Sequence, residues 1–356
     1  MRGLRKPGIA ERHPRSPRCA AMAVGSVPYT DPNAALRLVL ESTPEIPTWP
    51  QLPRRAFQEN MYVQFSEGLP GVVVQPDSLR IFVQNEVPPD ELTDFLEKLE
   101  AGDPAAFAVS PSYAAALPLL GEALRSLPAP PFVKGQITGP VSFGLAVPFE
   151  DRRAILYDDT LREVAVKLLA MKARWQSDLL TGWAADSIPL IMVDEPSLTQ
   201  VGSAFISIPA SIAFPALEEC LGQIEGLAGI HVCGGTDWQR MAEMPLDVLN
   251  FDAADHLGSL LAHREAVAAF VGEGGLLAWG AVPNDPRALE STPEAIGTLI
   301  LGGAEQLAET GGLTVDQVLN ASFVAPACGT GSLEAALAER CFALTAGASR
   351  WLRARL

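Results

Sequence analysis

The stretch GIHVCGG (229–235) is a short apolar run that stops at His231, Cys233 and a pair of glycines. Too short for a helix and apolar on both alternating faces, it reads as a parallel strand buried on both sides. Two similar runs follow, DVLNFDA (247–253), ending at Asp252, and FVAPACGTG (323–331), carrying Cys328. In a β/α barrel the C-terminal strand ends all open onto one face, so residues distant in sequence converge there. Two cysteines and a histidine at such ends form a ligand set suited to zinc. A lone His-x-Cys carries little specificity, and buried free cysteines also occur as small apolar packing residues. Both readings stand on these residues alone.

Outward from this stretch the chain alternates short apolar runs with longer amphipathic ones. The strand candidates also include AMAVGSV (21–27), GVVVQ (71–75), FVKGQIT (132–138), PLIMVDE (189–195) and LLAWGAV (276–282), with SFVAPAC (322–328) closing the series. Between them lie helical patterns, among them DELTDFLEKLEAG (90–102), a long one over 159–184, FPALEECLGQIEGL (214–227), REAVAAFVGEG (264–274), one over 292–311 and one over 333–355. Alternating β and α elements imply a parallel sheet with right-handed crossovers. Eight strand candidates predict a single-domain (β/α)8 TIM barrel over residues 22–356. Its length exceeds a minimal barrel of about 250 residues, which places insertions within 29–130.

The 356 residues carry a net charge of −16, which argues against a nucleic-acid groove or an anionic membrane surface as partner. No apolar run approaches the length of a membrane-crossing helix. Five cysteines without a disulfide framework fit a reducing cytoplasm. Cys220 and Cys341 fall in helical patterns and read as packing residues, and Cys19 lies in a polar stretch. Residues 1–21 hold six basic residues, one acid and three prolines. That composition predicts a disordered extension rather than a secretory signal.

Several strand ends carry polar motifs. In VGSVP (24–28), Gly25 and Ser26 either present N–H groups and a hydroxyl to a carboxylate or make an ordinary turn. In KGQITGPVSFG (134–144), Gly139 permits either the close approach of a ligand or a plain turn. Lys134 is either buried and paired or reaches the far end of the barrel. In VDEPSL (193–198), side chains alternate along the strand, so one of Asp194 and Glu195 points into the barrel mouth. CGTGS (328–332) reads as a turn leading into a helix whose N-terminal dipole would favour a Cys328 thiolate. It matches neither a dinucleotide nor a P-loop fingerprint.

Taken together, VGSVP, KGQITGPVS, VDEP, HVC and PACG resemble, in order, the motifs of the C-terminal catalytic barrel of cobalamin-independent methionine synthase, in a short single-barrel form. More broadly they resemble the superfamily that includes uroporphyrinogen decarboxylase and corrinoid-dependent coenzyme M methyltransferases. The matches run from residue 23 to 331. The resemblance implies that His231, Cys233 and Cys328 bind zinc and that Asp252 takes the place of a zinc-binding glutamate, one methylene shorter. It implies that Gly25 and Ser26 meet the carboxylate of homocysteine, and that Asp194, with Glu195 beside it, meets the amino group. A further family glutamate falls at Val63, with Glu59 and Gln64 nearby. A family histidine is replaced in GAVPNDPR (280–287), where Asn284 and Asp285 stand.

On this resemblance the expected activity is zinc-dependent methyl transfer to the homocysteine thiol, forming methionine. The missing histidine and the single-barrel length point to methylcobalamin or a methylated corrinoid protein as donor and partner. The alternatives are a corrinoid-dependent methyltransferase acting on another thiol of the coenzyme M type, a lyase like uroporphyrinogen decarboxylase, and a non-catalytic zinc barrel.

Overall fold

A computed structural model describes residues 16–201 and 208–356. Among the described residues nine strands form, β1 (Ala20–Ala21), β2 (Val72–Gln75), β3 (Arg80–Val83), β4 (Phe132–Thr138), β5 (Ile188–Asp194), β6 (Leu227–Val232), β7 (Val248–Asp252), β8 (Leu276–Val282) and β9 (Ser322–Pro326). Seven of them make one parallel sheet in the order β1-β9-β8-β7-β6-β5-β4. β4, β5 and β8 are buried along their whole length, as expected for a parallel sheet covered on both faces.

Side-chain alternation splits the core in two. Ile191, Val193, Ile230, Leu249 and Trp279 face the surrounding helices. Leu190, Met192, Leu227, Val248, Ala278 and Phe323 point the other way into a separate cluster. All seven strands of the sheet contribute to that inner cluster, so the sheet is curled about it. Phe132 of β4 and Phe323 of β9 meet edge to face at 5.4 Å, although β4 is one end of the strand order and β9 stands next to the other end.

The sequence expectation of eight barrel strands is corrected at one place. GVVVQ (71–75) does not join the sheet; β2 pairs antiparallel with β3 in a separate hairpin. Pro76, Asp77 and Ser78 form a tight turn directly after it, and such residues favour reversal over a crossover. Between β1 and β4, the segment around Thr48–Gln51 makes only isolated parallel bridges, Ser26 to Gln51 and Thr48 to Lys134. Pro47 and Pro50 remove two of its N–H donors, which prevents a continuous ladder.

Helices at Pro89–Ala101, Asp159–Trp183, Arg264–Gly272, Pro293–Gly311 and Ala335–Arg353 match the amphipathic patterns. The helix Ala210–Gly222 begins upstream of its expected start and holds Pro215 inside it. Cys220 and Cys341 are buried in helices, as their patterns suggested. Among the described residues no helix is long and apolar enough to cross a membrane.

The expected extension over 1–21 is too long. Residues 1–15 lie outside the described residues, but from Ser16 onward the chain is packed. Cys19 is fully buried, its N–H donating to Ser322 O at 2.6 Å and its thiol to Leu319 O at 3.3 Å. Burial pushes that thiol up to about 12. Arg353 holds the Pro17 and Arg18 carbonyls at 3.2 and 2.7 Å and pairs with Glu45. The apolar partners that fix this stretch are more than three hundred residues away, so its local composition gives no sign of them.

Candidate active site

The inward-facing positions of neighbouring strands line up in one row. Thr138 pairs with Asp194, Asp194 with His231, and His231 with Asn250. The row lies at the C-terminal strand ends beneath a cavity of about 380 Å³, which Ser26, Gln51, Tyr62, Asp194, His231, Cys233 and Cys328 help to line. Glu59, Asn60, Met61 and Gly331 complete much of the rest.

His231, Cys233 and Cys328 each offer one ligand atom within 4.8 Å of the others. His231 and Cys233 sit at and just beyond the end of β6, and Cys328 lies two residues past β9. His231 Nδ1 faces Asn250 Oδ1 at 2.7 Å, and the Asn250 amide nitrogen donates to Ala278 O at 2.9 Å. The second bond fixes which way the amide points, so its oxygen accepts from Nδ1–H. Nε2 then carries the bare lone pair; it is buried and has no hydrogen-bond partner. A neutral imidazole held in one tautomer by its outer nitrogen is the usual state of a metal-binding histidine.

The two thiols differ. A hydrogen bond from Cys328, reinforced by His231, holds Cys233 down to about 4. The same contact, together with burial, pushes Cys328 up. The pair therefore shares one proton and one negative charge. Burial opposes protonation of His231, but the Cys233 sulfur and Asp194 outweigh it and raise the imidazole. A soft, negatively charged sulfur pair beside an unpartnered imidazole nitrogen fits zinc well.

Asp252 is not part of this group. Its carboxylate caps the helix Ala253–Leu261 by accepting from Asp255 N at 3.0 Å and lies 3.9 Å from His256. The shorter aspartate side chain is engaged by its own helix, and the expectation of a fourth ligand there is corrected.

The adjacent acids part as the strand period requires. Asp194 faces the cavity, and its Oδ1 is buried without a partner. Burial raises it to about 6, against the attraction of His231 and Lys134. Glu195 turns away from the cavity. It accepts from Val141 N at 2.8 Å, Ser142 N at 2.9 Å and Ser142 Oγ at 2.6 Å, at the start of the helix Pro140–Ala146. Burial still raises it to about 7. A side chain on Gly139 would meet Glu195 at 2.2 Å, so that glycine makes room for the glutamate rather than for a ligand. Expecting Glu195 at the substrate is therefore corrected.

Ser26 accepts from Gly331 N at 3.2 Å, which leaves its own hydroxyl hydrogen free to donate. Gly25 does not line the cavity; a Cβ there would meet Gln51 Oε1 at 2.7 Å. Lys134 is fully buried and donates to Val24 O at 2.6 Å and Gln136 Oε1 at 3.1 Å. Burial lowers it to about 8. CGTGS does not open directly into a helix, since the next one begins at Ala335. The helix dipole expected at Cys328 is therefore lacking. Val63 is core. Glu59 lines the cavity, but its oxygens accept from Leu52 N and Arg55. Asp285 pairs with Arg287 at 2.5 Å, and neither it nor Asn284 lines the cavity.

Sequence reading missed three lining or supporting residues. Asn250 could have been found, since it shares the inward face of β7 with Val248. Tyr62, whose phenol is raised by burial and by the charges of Glu195, Cys233 and Cys328, gave no periodic signal. Gln51 lies between prolines and gave none either.

No protein-family model matches the chain, and no curated protein does. Solved structures do. A B12-independent methionine synthase from Shewanella sp. W3-18-1, in complex with selenomethionine, superposes with a TM-score of 0.57 at 13% identity, covering 95% of this chain and 98% of that one. A putative vitamin-B12 independent methionine synthase from Listeria monocytogenes gives 0.52 at 15% identity, covering 92% and 86%. Both neighbours are described as independent of B12, so the methylcobalamin or corrinoid-protein donor expected from the sequence finds no support among them. Over nearly its whole length, the chain shares its fold with B12-independent methionine synthases.

Proposed function

We propose that this protein is a zinc-dependent S-methyltransferase of the methionine-synthase type, with homocysteine as methyl acceptor. The observation that carries this reading is the meeting of His231 Nε2, Cys233 Sγ and Cys328 Sγ on the cavity wall that Asp194 also lines. These three residues would hold the metal. Zinc, when bound, would supply a Lewis acid that lowers the pKa of a substrate thiol, so that its proton is released to solvent near neutral pH.

The remaining work falls to the chain. Asn250, by accepting from Nδ1–H, keeps the His231 lone pair at Nε2. Asp194 offers its unpartnered oxygen to the substrate ammonium, whose charge offsets the cost of burying the carboxylate. The Ser26 hydroxyl donates to the substrate carboxylate. The cavity walls from 59–62 and 328–332 exclude water from the sulfur and hold it for in-line attack. On the fold, we assign the segment around Thr48–Gln51 to the eighth position of a (β/α)8 barrel. The five free cysteines suit a cytoplasmic setting.

The test is metal and thiol binding together. The purified protein should hold about one zinc per chain, and Cys233→Ser and Cys328→Ser should each lose most of it. Homocysteine binding to the loaded protein should release a proton, read by calorimetry in buffers of differing ionisation heat. Full zinc retention by both variants, or thiol binding without proton release, would sink the reading.

A further inference from the structure

Among the described residues the cavity wall carries six ionisable side chains, Glu59, Tyr62, Asp194, His231, Cys233 and Cys328. Three of them, His231, Cys233 and Cys328, converge as the metal-ligand set. His231 directs its one ring proton to Asn250. Glu59 has both oxygens engaged, by Leu52 N at 3.0 Å and by Arg55 at 2.8 Å. Asp194 is a buried acceptor. Tyr62 remains, and its proton is uncommitted. Its backbone N–H goes to Asn60 Oδ1 at 3.0 Å, but among the described residues its hydroxyl has no hydrogen-bond partner. The ring is held in place from below. Tyr62 stands in the short helix Met61–Gln64 that Asn60 caps, and Thr138 Oγ1 at the end of β4 donates to Met61 O at 2.6 Å. Burial, and then the charges of Glu195, Cys233 and Cys328, raise the phenol, so it stands within electrostatic reach of both sulfurs.

We propose that Tyr62 is the catalytic proton donor to the leaving group of the methyl donor, and that this donor carries its methyl on a neutral amine nitrogen. The inference rests on the thiol-methyltransferase reading and extends it to the other half of the reaction. The acceptor sulfur forms a bond to the methyl carbon while the carbon–nitrogen bond breaks, its electron pair staying on nitrogen. A nitrogen that left as an anion would be a very strong base, so it takes the phenol proton as the bond breaks. The phenolate then regains a proton from solvent, matching the one that the thiol gave up. A thiol and an N-methyl amine thus become a methyl thioether and an N–H amine, with no further reactant. A phenol ordinarily titrates near about 10, so at neutral pH it keeps its proton until such a base forms beside it. Tyrosine is among the side chains that act as general acids. A donor whose leaving group needs no proton would give Tyr62 no task.

The test offers zinc-loaded protein and homocysteine two methyl donors and reads methionine formation, corrected for the reaction without protein. Methyltetrahydrofolate carries its methyl on a neutral nitrogen, whereas the leaving group of methyl iodide needs no proton. Wild type should transfer methyl from both. Tyr62→Phe should lower the ratio of the first rate to the second by about 100-fold or more, the range of general acid catalysis, with zinc content and homocysteine affinity retained. An unchanged ratio overturns the proposal. Should that variant fail to fold, the solvent deuterium isotope effect of wild type decides. It should be present with methyltetrahydrofolate and absent with methyl iodide, and equal effects with both donors overturn the assignment. Wild type that accepts methyl iodide but not methyltetrahydrofolate overturns the nitrogen-donor proposal and leaves the thiol-methyltransferase reading standing. Failure with both donors refutes that reading itself.

Discussion

Asn250 and Asp252 stand two positions apart on one face of β7, yet they have different tasks. Asn250 reaches across to His231, whereas Asp252 bends into its own helix. Asn250→Ala should lower zinc affinity by about 10–100-fold, the cost of losing a ligand's orienting partner, measured by competition with a chelating dye. Asp252→Ala should leave zinc affinity unchanged and cost about 1 kcal/mol of stability through loss of a helix cap. An equal loss of zinc in both variants would return Asp252 to the ligand set. At this scale the sequence was legible wherever strand period decides the outcome. His231, Cys233 and Cys328 converge, and Asp194 and Glu195 separate to opposite faces. It was not legible where a one-methylene difference lets a carboxylate choose between a ligand site and its own backbone.

The helix Asp159–Trp183 shows what burial costs an element. Lys172 on its inner face is fully buried and donates to Phe107 O at 3.2 Å. Burial lowers it from 10.5 to about 8, opposed by the charge of Glu67. The folded chain thus holds this proton less readily than the unfolded one. The corresponding stability is present above the unfolded value of 10.5 and is lost as pH falls through about 8. At neutral pH the penalty is fully in force. Lys172→Met, which keeps the apolar stem, should therefore raise the melting temperature at neutral pH, with the gain shrinking as pH approaches the unfolded value. A gain independent of pH would mean that packing, not charge, is responsible. The helix itself was plain from its periodicity, and its buried lysine was not, because the covering segment around Phe107 lies in an insertion. Likewise the turn residues Pro76–Ser78 were visible, but the apolar run before them competed for a place in the sheet.

For the whole molecule, the sequence made the order of parallel strands and crossovers readable, while the curl of the sheet was hidden. The curl depends on contacts between distant stretches, such as Phe132 on Phe323 and the Pro-interrupted bridges around Thr48–Gln51. Arg353 provides one such contact. Arg353→Met should cost about 1–3 kcal/mol, as expected for hydrogen bonds from a charged donor. Native-state hydrogen exchange should show faster opening at the Cys19 and Met22 amides, which donate to Ser322 O and Val324 O of β9. Unaltered protection there would show that Arg353 only decorates the surface.

The pairing of β1 with β9 also sets a timetable. During synthesis, β1 has no ladder partner until the segment beyond residue 322 has emerged. The sulfur of Cys328 arrives in that same late segment. The nascent chain must therefore carry an unpaired β1 and an incomplete sulfur pair until that segment emerges, and the β1–β9 ladder and the thiol site are completed by one event.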